Sequence, residues 1–293
     1  MNRIIISFIL CAIMLIPTIA FAGHSHYVNG IEGIKAASVP PPGKYWRMYN
    51  VMYNANKRLD NNGDSTTFKA DVFAVVNRFI YTTDKKILGA DLVVGAIVPL
   101  TYTHLKSNAM GVNNTTFELG DIFVEPFVLS WHGKRSDSVL GIGAYLPTGR
   151  FNKLNLASPG KGYWTFMLTA GTTQYLSRDK SWHASILARY ETHTDQRNTK
   201  TDVGDDFHFE WNIGKTLNAY TEIGISGYCQ WQLQEDKGRY AAPGKEKIYA
   251  IGPEFNFNIP KWKTTINLRS LWEFGGKNAT EGNITTLTFT RPI

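Results

Sequence analysis

From residue 44 onward the chain alternates apolar and polar residues with a period of two, through twelve stretches separated by connections that alternate between short and long. The stretches are 44–55, 67–81, 87–103, 116–131, 138–148, 163–177, 181–191, 206–216, 219–233, 247–259, 262–273 and 284–291. In 221–233 one face reads Thr221, Ile223, Ile225, Gly227, Cys229, Trp231, Leu233, against Tyr220, Glu222, Gly224, Ser226, Tyr228 and Gln230. In 262–272 Trp262, Thr264, Ile266, Leu268, Ser270 and Trp272 oppose Lys263, Thr265, Asn267 and Arg269. Successive strand side chains point to opposite faces, so this is a pattern of half-buried strands. No long stretch holds a helical period.

A soluble sandwich has the same period. Three features favour a closed membrane barrel. The stretches run to roughly 10–15 residues, whereas soluble strands cluster near 5–6 and a tilted membrane strand needs about 9–11. Trp262 and Trp272 share a face ten residues apart; at ~3.3 Å per residue and a tilt near 40° they project to about 25 Å, the height of a lipid band between two aromatic girdles. Trp182 and Tyr190 show a shorter version of this spacing. Finally, connections 82–86, 132–137, 178–180, 217–218 and 260–261 are short, while 56–66, 104–115, 149–162, 192–205, 234–246 and 274–283 are long and polar. Short periplasmic turns and longer external loops give that pattern. The expected fold is an all-β, transmembrane, antiparallel up-and-down barrel of about twelve strands over 44–293.

In such a barrel the polar face lines the lumen. The inward candidates are Asp91, Arg189, Glu191, Glu210, Tyr220, Glu222, Tyr228, Glu254, Lys263 and Arg269. A two-residue turn at Pro260-Lys261 would set Ile259 opposite Trp262 and Asn258 opposite Lys263, with Glu254 diagonal to Arg269. These charges either line a wet channel or form paired ladders filling a closed core.

Residues 1–22 read as a cleaved signal peptide. Arg3 precedes the apolar run Ile4–Ile16, Pro17 breaks it, and Ala20-Phe21-Ala22 is a small-x-small cleavage site. Only Cys229 then remains, so no internal disulfide can form. Residues 23–43 lack alternation and end in Pro40-Pro41-Pro42-Gly43, a stiff extended element. Tyr27, Ile31, Ile34 and Val39 are apolar for a free tail, which favours a luminal plug over a periplasmic lead.

The net charge of +7 is scattered over loops and, with export, points away from nucleic acid. No G-x-S-x-G, P-loop, dinucleotide fingerprint or EF-hand loop is present. His183 and Ser185 share one strand face and form no defined catalytic pair, His24-x-His26 lacks further ligands, and Asp60–Asp64 reads as a loop tip. No catalytic residue, cofactor or metal is expected.

The stretch His26-Tyr27-Val28-Asn29-Gly30-Ile31-Glu32-Gly33-Ile34-Lys35-Ala36-Ala37-Ser38-Val39-Pro40-Pro41-Pro42-Gly43-Lys44-Tyr45, with Gly120–Pro126 and Gly141–Gly149, resembles the outer-membrane protein family named for the meta-pathway of phenol degradation. The resemblance implies a barrel that helps take up hydrophobic or aromatic compounds, and carries no catalytic residue. The expected function is an outer-membrane channel for small, aromatic or otherwise hydrophobic solutes, with membrane lipid and solute as partners. The alternatives are a structural or adhesive barrel acting through its external loops, and an outer-membrane hydrolase.

Overall fold

The computed structural model describes residues 25–109, 111–241 and 243–293, and the expected signal peptide lies outside them. The strands are β1 (Gly43–Leu59), β2 (Ser65–Ile87), β3 (Ala90–Ser107), β4 (Val112–Leu119), β5 (Ile122–His132), β6 (Ser136–Leu146), β7 (Thr165–Tyr175), β8 (Trp182–His193), β9 (Asp206–Thr216), β10 (Thr221–Gln232), β11 (Lys247–Ile259), β12 (Thr264–Lys277) and β13 (Thr280–Pro292). All neighbours pair antiparallel, and β1 pairs with β13 from Tyr45↔Pro292 to Arg58↔Thr280. That ladder closes the sheet, which removes the unpaired edges a membrane would not tolerate.

Strands β4 and β5 are two halves of one stave, so the barrel has twelve. The distal half of β3, Leu100–Ser107, pairs with β4, and its proximal half, Asp91–Ile97, pairs with β5. Sequence alternation reads 116–131 as one unbroken strand; the structure interrupts it at Gly120-Asp121.

Three of the six connections expected to be long are tight. β1 and β2 pair out to Leu59↔Ser65, β3 and β4 out to Ser107↔Val112, and only Asn278 and Ala279 separate β12 from β13. These strand ends have polar outer faces, while their inner faces are covered, in part by the apolar cluster of Ala55, Phe68, Ala70, Leu105 and Ala157. With no apolar outer face to select there, the alternation weakens and strand reads as loop. The connections 147–164, 194–205 and 233–246 are long. The turn at Pro260 also differs: Pro260–Trp262 forms a 3₁₀ turn closed by Lys263 in the left-handed region at φ 47°. Ile259 therefore faces Thr264, and Glu254 lies directly opposite Arg269 instead of diagonal to it. The register moves by two residues, so inside and outside are unchanged.

The outer wall is apolar: Leu268 is 43% exposed and Ile225 54%, whereas their neighbours Arg269 and Ser226 are 2% exposed each. Near the long-loop end Phe207, Phe209, Trp231, Tyr249 and Phe274 form an unbroken run of ring contacts across β9–β12, with centroids 5.7–6.4 Å apart. Trp182 and Trp262 are exposed at the other end. Leu268→Arg should accordingly lower unfolding free energy by about 2–4 kcal/mol in denaturant titrations of lipid-reconstituted protein. Asn267→Arg should lower it far less, because Asn267 already faces inward onto Glu254. Equal losses at the two sites would invert the assignment of faces.

Candidate functional site in the barrel interior

The chain from Ser25 to Pro40 lies inside the barrel, Pro41 and Pro42 are exposed, and none of it joins a ladder. Its own backbone bonds are local, Ala36 N–H to the Gly33 carbonyl and Ser38 N–H to Lys35. A segment without ladder bonds must have its polar backbone groups satisfied by side chains. The inward carboxylates and guanidinium groups of the wall do this.

Glu210 on β9 is the central acceptor. It takes the Tyr27 hydroxyl at 2.7 Å and the amides of Gly30 and Glu32 at 2.7 and 3.0 Å. Arg189 on β8 donates to the same carboxylate at 2.8 Å and stacks over the Tyr27 ring at 3.7 Å. Two strands on, Glu254 accepts the Ile34 amide and pairs with Arg269 at 2.9 Å, while Arg269 Nε donates to the Gly30 carbonyl at 2.8 Å. Gly33 lies flat on this pair; a Cβ there would overlap Glu254 Oε2 and Arg269 Nη1. Only glycine lets the segment approach so closely.

Glu32 is the segment's own contribution. Its carboxylate accepts from Arg47 of β1 and Arg78 of β2, at 3.0 and 2.8 Å, and from the Tyr49 hydroxyl at 2.6 Å. Arg78 also bonds Glu125 at 2.7 Å. Burial opposes the charge on Glu32, but the guanidinium groups of Arg47 and Arg78 outweigh it and hold the carboxyl at about 2 against an ordinary 4.5. A carboxyl depressed on docking stabilises the docked state fully above pH 4.5, and this contribution fades as pH falls toward 2. Planar-bilayer conductance should therefore stay low at pH 5 and rise below about pH 4. Glu32→Gln should raise conductance at neutral pH and flatten that step; an unchanged step would remove Glu32 from the latch.

Asp121, in the break between β4 and β5, ties down the other end. It accepts the amides of Gly149 and Lys161 and the His26 Nε2–H, each at 2.8 Å. The break is made by backbone crowding. A Cβ on Gly149 would sit 2.8 Å from the Gly160 Cα and 3.0 Å from the Gly120 carbonyl carbon. The 147–164 connection thus folds back against the interrupted stave.

Of the candidates read from the sequence, Glu191, Glu210, Glu254, Arg189, Arg269, Tyr228 and Asp91 are inward and buried. Glu222 is half-buried and bonded to Lys35. Tyr220 and Lys263 are not in the wall. Tyr220 is 57% exposed in the β9–β10 turn, and Lys263 closes the 3₁₀ turn, because each strand ends just short of them. Tyr27 is buried, Ile31 packs between two apolar clusters, Val39 packs by Val139 and Leu187, and Ile34 is half-buried. Sequence reasoning missed Glu32, Arg47, Arg78 and Asp121, and set His26 aside for want of further ligands, whereas it is buried against Asp121. Arg47 and Arg78 do share inward parity with Tyr49 and Ile80, the one signal that marks them.

A cavity of about 70 Å³ remains between the segment and the wall, lined by Glu32, Val39, Arg78, Leu187 and Arg189 among others. A groove of about 330 Å³ on the outer face, lined by Tyr45, Phe79, Tyr81 and Pro126, adjoins it. Ile80, Val94, Gly95 and Glu125 line both. The β3–β5 ladder is irregular there, with a shift between Val93 and Gly95, and so is the β5–β6 ladder, with a shift between Val124 and Phe127.

The family model described as "Putative MetA-pathway of phenol degradation" matches residues 55–289. No curated protein matches the sequence. Among solved structures the fold is similar to an outer membrane channel from Pseudomonas putida F1, with a TM-score of 0.78 and 13% identity over 88% of this chain and 97% of that one. It is also similar to the β domain of the Bordetella autotransporter BrkA, with a TM-score of 0.54 and 9% identity over 86% of this chain and 100% of that one. The translocator domain of the autotransporter NalP from Neisseria meningitidis gives a TM-score of 0.53 and 9% identity over 88% and 91% of the respective chains. Identities this low establish a shared barrel fold and nothing further.

Proposed function

Since the chain belongs to the family described by the MetA pathway of phenol degradation, we propose that it is an outer-membrane channel for small aromatic or otherwise hydrophobic compounds. In this reading it is exported by a cleaved signal peptide and gated by its own N-terminal segment, with Tyr27, Ile31, Ile34 and Val39 as the packing residues of the plug.

The observation that carries this is the way the segment is held. A polar interior wide enough for an extended chain contains one that makes no ladder bonds, so it can leave without breaking the barrel. The rows of carboxylates that would line an open lumen hold the segment in the closed one. With the axis filled, the groove beside Gly95 and Pro126 supplies the apolar surface that a hydrophobic solute needs, next to an irregular part of the wall. Tyr45, Phe79 and Tyr81 line it and suit an aromatic ring.

Liposomes containing the full chain should admit phenol faster than protein-free liposomes, and should exclude a sugar of similar size. Equal exclusion of both by the full-length and N-terminally truncated proteins would sink the transport reading. Hydrolysis of model esters or lipids by the folded barrel would replace it with the enzymatic one.

A further inference from the structure

At the Ser25 end of the segment, the ends of β8 and β9 bring Glu191, His193 and Asp206 together, with one ligand atom from each lying within 4.8 Å of the others. The His193 and Asp206 side chains are fully buried, and Glu191 is 0% exposed. Hydrogen bonding around them determines which atoms carry protons.

Asp121 accepts two backbone amides, so it is an acceptor, and the His26 Nε2 that meets it at 2.8 Å must donate. In neutral His26, Nδ1 then has only a lone pair, and it accepts from the Thr165 hydroxyl at 2.5 Å. That hydroxyl has spent its one proton. Its oxygen can only accept from His193 Nδ1–H, 2.7 Å away. His193 is left with a bare Nε2, which points at Asp206 Oδ2 at 3.3 Å. Two acceptors thus face one another with no proton assigned between them. The other Asp206 oxygen, Oδ1, is buried without a well-formed hydrogen bond, the Gln230 amide being the donor near this carboxyl. Glu191 completes the triangle. Its carboxylate is oriented by the amides of His26 and Tyr27, the Ser25 hydroxyl and His208 Nε2, at 2.8–3.1 Å.

Lone pairs converging without protons call for a cation. We propose that Glu191, His193 and Asp206 bind a divalent transition-metal ion, zinc being the best match to one imidazole and two carboxylates. A metal-bound histidine typically donates its other ring N–H to an oxygen, as His193 does to Thr165, and metal-bound carboxylates are themselves hydrogen-bonded, as Glu191 is. Two ligand atoms each about 2.1 Å from a tetrahedral zinc are about 3.4 Å apart, so the widest pair draws in by up to about 1.4 Å on binding. The site goes beyond channel function: it staples β8 to β9 through the same carboxylate that holds His26 and Tyr27.

Tag-free full-length protein, stripped with EDTA in detergent, is titrated calorimetrically with zinc and, in parallel, with cobalt for its visible absorption. One saturable zinc per barrel is expected, together with a cobalt band of low-coordinate nitrogen–oxygen ligation. His193→Ala should abolish the band. Thr165→Val, which keeps all three ligands but frees the imidazole, should weaken zinc binding about 10–100-fold. Heat-modifiable gel mobility identifies the folded variants, and the cobalt spectrum of the wild type needs no variant at all. Folded wild type that binds neither metal at millimolar concentration overturns the proposal and leaves a proton shared between His193 and Asp206. Binding that survives His193→Ala also overturns it.

Discussion

Deletion of residues 25–39 should raise single-channel conductance severalfold in planar bilayers and speed solute entry into liposomes. The segment occupies the axis of a twelve-stave barrel, whose lumen holds little beyond one extended chain and side chains. Its removal leaves Glu191, Glu210, Glu254 and Arg269 facing a lumen that water can enter, so the loss of their partners is offset by hydration. The wall is not touched, because the β1–β13 ladder starts at Tyr45. Unboiled and boiled deletion protein should therefore still migrate differently on detergent gels. Equal conductance of full-length and deleted proteins would show that the segment does not obstruct the pore.

Glu210→Ala should reproduce much of that opening with a single side chain. The substitution removes the acceptor of Tyr27, Gly30 and Glu32 together, and it leaves Arg189 buried without its carboxylate. Breaking a buried pair from one side typically costs about 3–5 kcal/mol. Here the wall ladder persists, so the loss falls on docking. Adding Arg189→Met should recover part of it, since the uncompensated charge is then gone. In the deletion background Glu210→Ala should change conductance little. A large change there would place Glu210 in ion selectivity instead of in the latch.

The faces of this barrel are legible in its sequence because a lipid-facing strand must repeat every two residues. Leu268 outside and Arg269 inside follow from that alone. The register of Glu254 with Arg269 does not, because it depends on Lys263 adopting the left-handed conformation that turns a two-residue loop into a 3₁₀ turn. Strand ends beyond the membrane are hidden for the opposite reason. Residues such as His104–Ser107, whose outward side chains His104 and Lys106 are polar and whose inward Leu105 and Ser107 are buried, show no lipid-facing repeat although they pair with Val112–Thr115. The break at Gly120 is set by Gly149 and Gly160, some thirty to forty residues away. The N-terminal segment was marked by its apolar residues, but what holds it is a set of carboxylate-to-amide contacts that no local pattern encodes.

The segment precedes every strand, yet its bonds reach Glu191, Glu210, Glu254 and Arg269 at sequence separations of 165, 180, 220 and 239 residues. Contacts so remote in sequence are slow to form, and these have no site until β8 to β12 stand side by side. Docking is therefore a late step of assembly, alongside closure of the β1–β13 ladder, whose partners are as remote in sequence. Whichever of the two comes first decides whether a nascent copy leaks: a wall sealed around a docked segment never stands open, and one sealed ahead of it leaks until the segment finds its acceptors.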